Sequence, residues 1–227
     1  MKALIAAGGK ATRLRPITWT LNKHLIPLAN KPMLWYVFKK ITDAGIKDII
    51  VNVNPGEVGQ MERAMGDGSE FGARVTYIEQ LGGAKGLAHV VANAEEHLKG
   101  ERFLFFLGDN IILGSINKFV DRFQRENLDC MIALSHVKDP QRFGVPEFHP
   151  DGTLKRTIEK PKNPPSSFAV TGIYLFDEKY FEAFKTIQPS ERGEYEITDV
   201  ITWYIQNAKT GHEEITGWWK DTGTPDA

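Results

Sequence analysis

Residues 7–16 read Ala7-Gly8-Gly9-Lys10-Ala11-Thr12-Arg13-Leu14-Arg15-Pro16, two adjacent glycines followed at once by cations. Glycines at such a turn let backbone N–H groups come close to an anion, and arginine adds a planar fork of donors suited to phosphate or carboxylate. Lys23, a few residues on, adds a mobile point charge. The run is not GxGxxG, and it lacks the Lys-Ser or Lys-Thr pair of a P-loop. Charge counting strengthens the point. Residues 1–42 contain no Asp or Glu yet hold Lys2, Lys10, Arg13, Arg15, Lys23, Lys31, Lys39 and Lys40, while the rest of the chain sets twenty bases against all 29 acids. A local excess of +8 on a protein of net charge −1 points to an anionic ligand near the N-terminus. Nucleic acid fits poorly, because the positive charge is local and the pI is near 6.6.

Two carboxylates lie far downstream. Asp109 follows the apolar run Phe103–Leu107, and a charge at the carboxyl end of such a strand is placed for catalysis or ligand binding. Asp221 follows Trp218-Trp219 and by itself reads as a turn residue. The six histidines (His24, His89, His97, His136, His149 and His212) show no metal-ligand spacing and read as surface or capping residues. The single cysteine, Cys130, excludes a disulfide framework and a multi-cysteine zinc site.

These residues need a scaffold that brings strand ends together. The 227 residues, 41% hydrophobic and 25% charged, suffice for a large core without disulfide or metal support. No apolar run approaches the roughly 18 residues of a membrane span, and the start Met1–Ala7 reads as a strand entering a turn, not a signal peptide; the expected location is the cytoplasm. Strands are expected at Lys2–Ala6, Asp48–Val53, Arg74–Ile78, Arg102–Leu107 and Asp129–Ser135. Between them fall helices from Pro32 to Gly45, over Val58–Met65, from Lys85 to Leu98 and near Ile116–Arg125. The pattern then changes. Val145–Phe148 and Leu154–Glu159 form an expected hairpin around Asp151-Gly152, followed by a strand Phe168–Phe176, helices near Phe181–Phe184 and Ile197–Ile205, and a strand His212–Gly217. The fold class is α/β: a Rossmann-like, mixed but mostly parallel sheet flanked by helices, with an inserted β-hairpin. Residues 1–227 read as one domain, with 1–135 a Rossmann-like half and 136–227 a mixed half carrying the hairpin.

The run Gly8-Gly9-x-x-Thr12-Arg13-Leu14-x-Pro16, then Asn22-Lys23-His24-Leu25-Ile26-Pro27 and Asn30-Lys31-Pro32-Met33, resembles the signature of the sugar-1-phosphate nucleotidylyltransferases, nearest to the glucose-1-phosphate thymidylyltransferases. Gly86-Leu87-Ala88, Leu107-Gly108-Asp109-Asn110, Phe143-Gly144-Val145, Glu159-Lys160-Pro161, Val170-Thr171-Gly172 and Trp219-x-Asp221-Thr222-Gly223-Thr224 extend the likeness along the chain. The resemblance implies that the phosphate of a sugar 1-phosphate attacks the α-phosphorus of a nucleoside triphosphate, releasing pyrophosphate and an NDP-sugar. It implies Arg13, Lys23 and Asp109 as catalytic, Arg13 on the departing pyrophosphate and Lys23 on phosphate oxygens near the reacting centre. Ala7, Gly8, Gly9, Thr12, Arg13, Gln80 and Gly86 would bind the nucleotide, and Gly144, Glu159, Lys160, Thr171 and Gly172 the sugar phosphate, making 1–135 the mainly nucleotide-binding half and 136–227 the mainly sugar-phosphate-binding half. Asp109 and Asp221 would hold Mg²⁺, a cation usually bound by one or two carboxylates plus phosphate oxygens and water. Two carboxylates sharing that ion come within about 4–5 Å of each other, and without it at least one is expected to titrate high.

Departures from the pattern carry expectations too. Ala11 stands where the family has glycine, so a positive φ there means strain. Lys85 replaces an aspartate of near relatives, in a stretch longer by a residue, which leaves the choice between dTTP and UTP open. Relatives continue into helices or a left-handed β-helix; this extension is expected to be absent, and a homo-oligomer is an expectation for a longer protein. Competing readings are a UTP-dependent or other sugar-1-phosphate nucleotidylyltransferase and a weakly active nucleotide- or sugar-phosphate-sensing homologue.

Overall fold

The computed structural model describes residues 1–222, so Gly223 and Thr224 of the last motif lie outside the described residues. The first half alternates strand and helix. It comprises β1 (Lys2–Ala6), the two-residue strands β2 (Pro27–Leu28) and β3 (Lys31–Pro32), α1 (Met33–Asp43), β4 (Asp48–Val53), α2 (Val58–Met65) and β5 (Arg74–Glu79). Then come α3 (Leu87–Asn93), α4 (Glu95–Leu98), β6 (Phe103–Leu107), β7 (Asn110–Ile112), α5 (Asn117–Arg125) and β8 (Cys130–His136). The second half holds β9 (Gly144–Phe148), β10 (Leu154–Glu159), β11 (Phe168–Phe176), α6 (Tyr180–Thr186), α7 (Ile197–Asn207), β12 (Thr210–Glu214) and β13 (Trp219–Asp221).

The main sheet runs β12-β8-β11-β6-β1-β4-β5, and the β9–β10 hairpin joins the start of β11 at Val170↔Gly144. Pairings β6–β1, β1–β4, β4–β5 and β12–β8 are parallel, while β11 runs antiparallel to both β6 and β8. Strand alternation sorts the core into two layers. Ala3, Ile5, Ile49, Val51, Leu104 and Phe106 face α1, α2 and α5 through Leu34, Phe38, Met61 and Phe123. Leu4, Ile50, Phe103 and Phe105 face the opposite way, toward Val91, Tyr180, Ile201 and Tyr204 of α3, α6 and α7. Each such large side chain stabilises the fold by about 1.5–3 kcal/mol when fully buried, so the sheet centre is the rigid part.

Two elements differ from the sequence expectation. The helix expected over Lys85–Leu98 begins only at Leu87 and breaks at Ala94. Gly86 takes a positive φ of 93°, which favours glycine, and the Lys85 carbonyl accepts from Tyr195 N (2.7 Å), so these residues serve a contact distant in sequence instead of a helical turn. The last sheet strand lies at Thr210–Glu214, earlier than expected, because its pairing with β8 starts at Thr210↔Cys130. The three-residue pair β7–β13 had no periodicity to announce it. Among the described residues no helix is long and apolar enough to cross a membrane.

Candidate active site

The carboxyl ends of β1 and β6 sit side by side (Ala6↔Leu107), and the chain leaves them through the 7–16 loop and through Gly108-Asp109. The loop folds as short 3₁₀ turns at Thr12–Leu14, Ile17–Trp19 and Lys23–Leu25. Asn22 anchors its far end. Its Nδ2 donates to the Ala7 carbonyl (2.8 Å) and to Glu57 Oε2 (2.6 Å), and its Oδ1 accepts from His24 N (2.9 Å). With Asn22 saturated and His24 buried, the intervening Lys23 is pinned toward Asp109, with which it forms a hydrogen-bonded ion pair. The Asp109 carboxylate also accepts from Asn110 Nδ2 (3.0 Å).

Two cavities open at this end of the sheet. The first, about 630 Å³, is lined by Gly8, Gly9, Lys10, Ala11, Arg15, Lys23, Gln80, Lys85, Gly86 and Leu87 among others. The second, about 250 Å³, is lined by Arg13, Leu87, Asn110, Gly144, Glu159, Lys160, Gly172, Trp219 and Asp221 among others. Leu87 borders both, and the Lys23–Asp109-Asn110 segment connects the walls. Gly86 and Gly172 are sterically required. A Cβ on Gly86 would lie 2.5 Å from the Tyr195 carbonyl oxygen, and one on Gly172 2.6 Å from Leu107 Cγ.

Most of the expected residues line these cavities; Asp109 lines neither and stands between them through its pair with Lys23, and four others are placed differently. Thr12 is exposed and outside both linings. Ala7 is enclosed, its N–H donating to the Asn52 carbonyl (2.8 Å) and its carbonyl accepting from Asn22 Nδ2. Thr171 is buried and its hydroxyl donates to the Ala133 carbonyl (2.8 Å), because alternation along β11 turns it away while the next residue, Gly172, faces the cavity. Arg13, expected with the nucleotide group, lines the second cavity; Arg15 takes its place in the first. Gly9 N–H donates to Asn54 Oδ1 (2.8 Å), so an anion would compete with that side chain. Ala11 does adopt the left-handed region, at φ 42° and ψ 43°.

Asp221 is not in a loop but in β13, opposite Asn110, and Thr222 N and Oγ1 both donate to the Asp109 carbonyl (3.0 and 2.7 Å). Of the two carboxylates, one or more of which was expected to titrate high, Asp109 does not: burial raises it, but Lys23, with His24 and the Asn110 donor, holds the carboxyl below its usual value. Glu159 is the carboxyl raised here, by burial and then by Glu196, against the pull of Lys160 and Arg192. Burial pulls His24 down to about 3, with Lys23 adding to it, so the ring is neutral; the surface reading of this histidine fails because it fills the space beneath Gly108. Sequence reasoning also passed over Asn110, whose Oδ1 accepts from Trp219 Nε1 (2.7 Å) and Gly172 N (3.2 Å), and Arg142, which lines the second cavity. Their adjacency to Asp109 and to Phe143-Gly144 was the available signal.

Asp221 lines the second cavity and Asp109 precedes the strand it pairs with, and Tyr174 in the same lining is raised by burial and by the charges of Glu159, Asp109 and Asp221. A hard, oxygen-seeking cation suits this donor set. A mixed, mostly parallel α/β sheet with a glycine- and cation-rich first loop and carboxylates at Asp109 and Asp221 beside one short ladder defines a class, the nucleotide-handling transferases. The family model for nucleotidyl transferases matches residues 2–227, and the chain belongs to that family.

Its relatives are close in length and shape over this region. A glucose-1-phosphate thymidylyltransferase of Streptomyces antibioticus is 45% identical over 225 residues, 98% of this chain and 63% of that protein. A low-salt glycan biosynthesis nucleotidyltransferase of Haloferax volcanii is 38% identical, over 100% of this chain and 63% of its own length. The chain thus spans a little under two thirds of these relatives. A crystal structure of a glucose-1-phosphate thymidylyltransferase from Bacillus anthracis, in complex with a sucrose, superposes with a TM-score of 0.92 at 39% identity, covering 100% of this chain and 91% of that one.

Proposed function

We propose that the protein transfers a nucleotidyl group from a nucleoside triphosphate, dTTP by preference, to a sugar 1-phosphate, glucose 1-phosphate by preference, forming an NDP-sugar and pyrophosphate. The observation that carries this reading is the Lys23–Asp109 pair at the seam between two cavities of unequal size. Two substrates, each bringing phosphate to that seam, would meet there in line. The names of the relatives support the same substrates.

In this reading the first cavity takes the nucleotide, with Gln80 at the base end and Lys10, Arg15 and Lys23 toward the phosphates. The second takes the sugar, with Glu159 accepting from hydroxyls and Arg13, Arg142 and Lys160 toward the sugar phosphate. Lys23 moves from Asp109 to phosphate oxygens as charge builds on the reacting group, an electrostatic role in a reaction that needs alignment more than covalent help. Asp109 and Asp221 would hold Mg²⁺, which when bound offsets triphosphate charge and polarises the α-phosphorus. The substrates are the protein's partners in this account, and the cytoplasm, which supplies them, is its location. A pyrophosphate-release panel crossing dTTP, UTP, CTP, GTP and ATP with glucose-, galactose-, mannose- and N-acetylglucosamine 1-phosphate tests it. Turnover is expected with dTTP and glucose 1-phosphate; no turnover with any pair, or a purine nucleotide faster than both dTTP and UTP, refutes it.

A further inference from the structure

We propose that His89 is a positioning residue for nucleotide recognition: its unprotonated Nδ1 holds the Gln80 side-chain amide in one orientation, fixing which of the two amide atoms accepts and which donates. The inference rests on the reading that Gln80 meets the base, and deepens it to a nucleoside with an N3–H imide edge, thymine or uracil.

The orientation is forced step by step from the backbone. Leu81 N–H can only donate, so the Asn93 atom 2.9 Å from it is the oxygen; the Glu79 carbonyl can only accept, so the Asn93 atom 2.8 Å from it is the nitrogen. The second hydrogen of that nitrogen goes to Asn52, whose facing atom (2.8 Å) is therefore Oδ1. Asn52 then presents Nδ2 to Gln80, so the atom it meets at 2.6 Å is Oε1. Gln80 Nε2 is left to face His89 Nδ1 at 2.8 Å, and the ring nitrogen must accept. The tautomer follows: the His89 proton sits on Nε2.

Gln80 and Asn52 are both buried, and Gln80 lines the first cavity beside Gly83 and Gly86. Inverting the Gln80 amide would set its nitrogen against Asn52 Nδ2, and its oxygen against the His89 ring nitrogen for as long as the ring proton stays on Nε2. The amide therefore meets a ligand with its spare Oε1 lone pair as acceptor and with its second N–H, which donates to the Gly83 carbonyl at 3.5 Å, as the donor that a ligand carbonyl would draw away; an N3–H beside a carbonyl needs this pair. The surroundings keep the ring neutral. Lys85 comes from the preceding loop, Tyr195 stacks at 6.3 Å between ring centroids, and Glu194 lies at the cavity edge. Burial, with Lys85 adding to it, lowers His89 below its ordinary value.

The test uses the whole chain with His89→Leu, which has no acceptor, and His89→Asn, whose side-chain oxygen is one, each checked for native circular dichroism. His89→Leu is expected to raise KM for dTTP and UTP by about five- to tenfold, the loss of one orienting hydrogen bond, with kcat within twofold and the sugar-phosphate KM unmoved. His89→Asn is expected to recover most of that loss. Ring ¹⁵N NMR of the wild type is expected to show Nδ1 bare and the proton on Nε2. A proton on Nδ1, a nucleotide KM in His89→Leu within twofold of wild type, or a fall in kcat equal to the rise in KM overturns the proposal. The tautomer is read without turnover, so the expected spectrum with an inactive protein would count against the proposed function and leave the orientation of Gln80 standing.

Discussion

Replacing Lys23 by methionine would strip Asp109 of its cation while filling much of the same volume. Both side chains of the pair are largely enclosed, 16% and 15% exposed. Removing one partner of a buried pair costs about 3–5 kcal/mol, and the residual exposure here argues for the lower end, near 3. What remains for Asp109 is the Asn110 donor at 3.0 Å. The pH dependence distinguishes this from lost packing. In the wild type the Asp109 carboxyl lies below its ordinary 3.8, so its contribution is present above that pH and is lost only as pH falls through the lower, folded value. Without Lys23, burial dominates, the folded value rises above 3.8, and the variant loses stability as pH climbs from about 4 to 7. Urea unfolding of wild type, Lys23→Met, Asp109→Asn and the double variant at pH 4.5 and 7 measures it. The Lys23→Met penalty should be largest at pH 7, shrink toward pH 4.5, and be mostly absent in the Asp109→Asn background, with a coupling of about 2–3 kcal/mol. Effects that add within about 0.5 kcal/mol, or a penalty equal at both pH values, would refute the reasoning.

Three further outcomes are expected. Ala11→Gly removes a Cβ from a residue at φ 42°, where an L side chain costs about 1–2 kcal/mol, against about 0.5–1 kcal/mol of added chain freedom in the unfolded state. Thermal unfolding should show it as stable as wild type or up to about 1.5 kcal/mol more so, and a clear loss would mean the loop prefers alanine. His24, neutral in the fold and lowered from 6.5 to about 3, stabilises fully above 6.5 and progressively less as pH falls toward 3. His24→Gln should therefore flatten stability between pH 6.5 and 5 by about 2 kcal/mol relative to wild type, and parallel profiles would contradict the burial. Gly172→Ala would press its methyl against Leu107 Cγ at 2.6 Å and Asn110 Cγ at 2.8 Å. Calorimetry should show a loss of about 1–3 kcal/mol, with weaker sugar-phosphate binding; an unchanged protein would mean Leu107 yields freely.

The strands at Lys2–Ala6, Asp48–Val53 and Phe168–Phe176 were legible because their residues are apolar on both faces, as a strand covered by helices on each side must be. The hairpin announced itself through Asp151-Gly152, and α2 through its period and the Gly66-Asp67-Gly68 stop. What escaped was set by partners distant in sequence. Ala94 breaks a helix that period alone would continue, and three residues at Asn110 and three at Trp219 are too few to show alternation before they find each other. At the site, Asp109 and Lys23 were readable as charges at strand ends, yet that they would bind each other needs the β1–β6 pairing. Thr171 shows the finest limit. It and Gly172 are neighbours in sequence, and only the pleat decides which of them faces the cavity.

The β7–β13 ladder also sets a timetable. Asp221 and Trp219 reach Asn110 across more than a hundred residues, and Thr222 closes on the Asp109 carbonyl. When Lys23, Asp109 and Asn110 have left the ribosome, the wall that Trp219 and Asp221 provide has yet to be made; at 5–20 residues per second it follows roughly 5–25 s later. A nascent chain can thus fold β1, β4 and β6 around a loop full of cations while the second cavity still lacks one side. A nascent chain at that stage has a place for an anion and no complete place for two, so the second cavity takes shape only once β13 has been made.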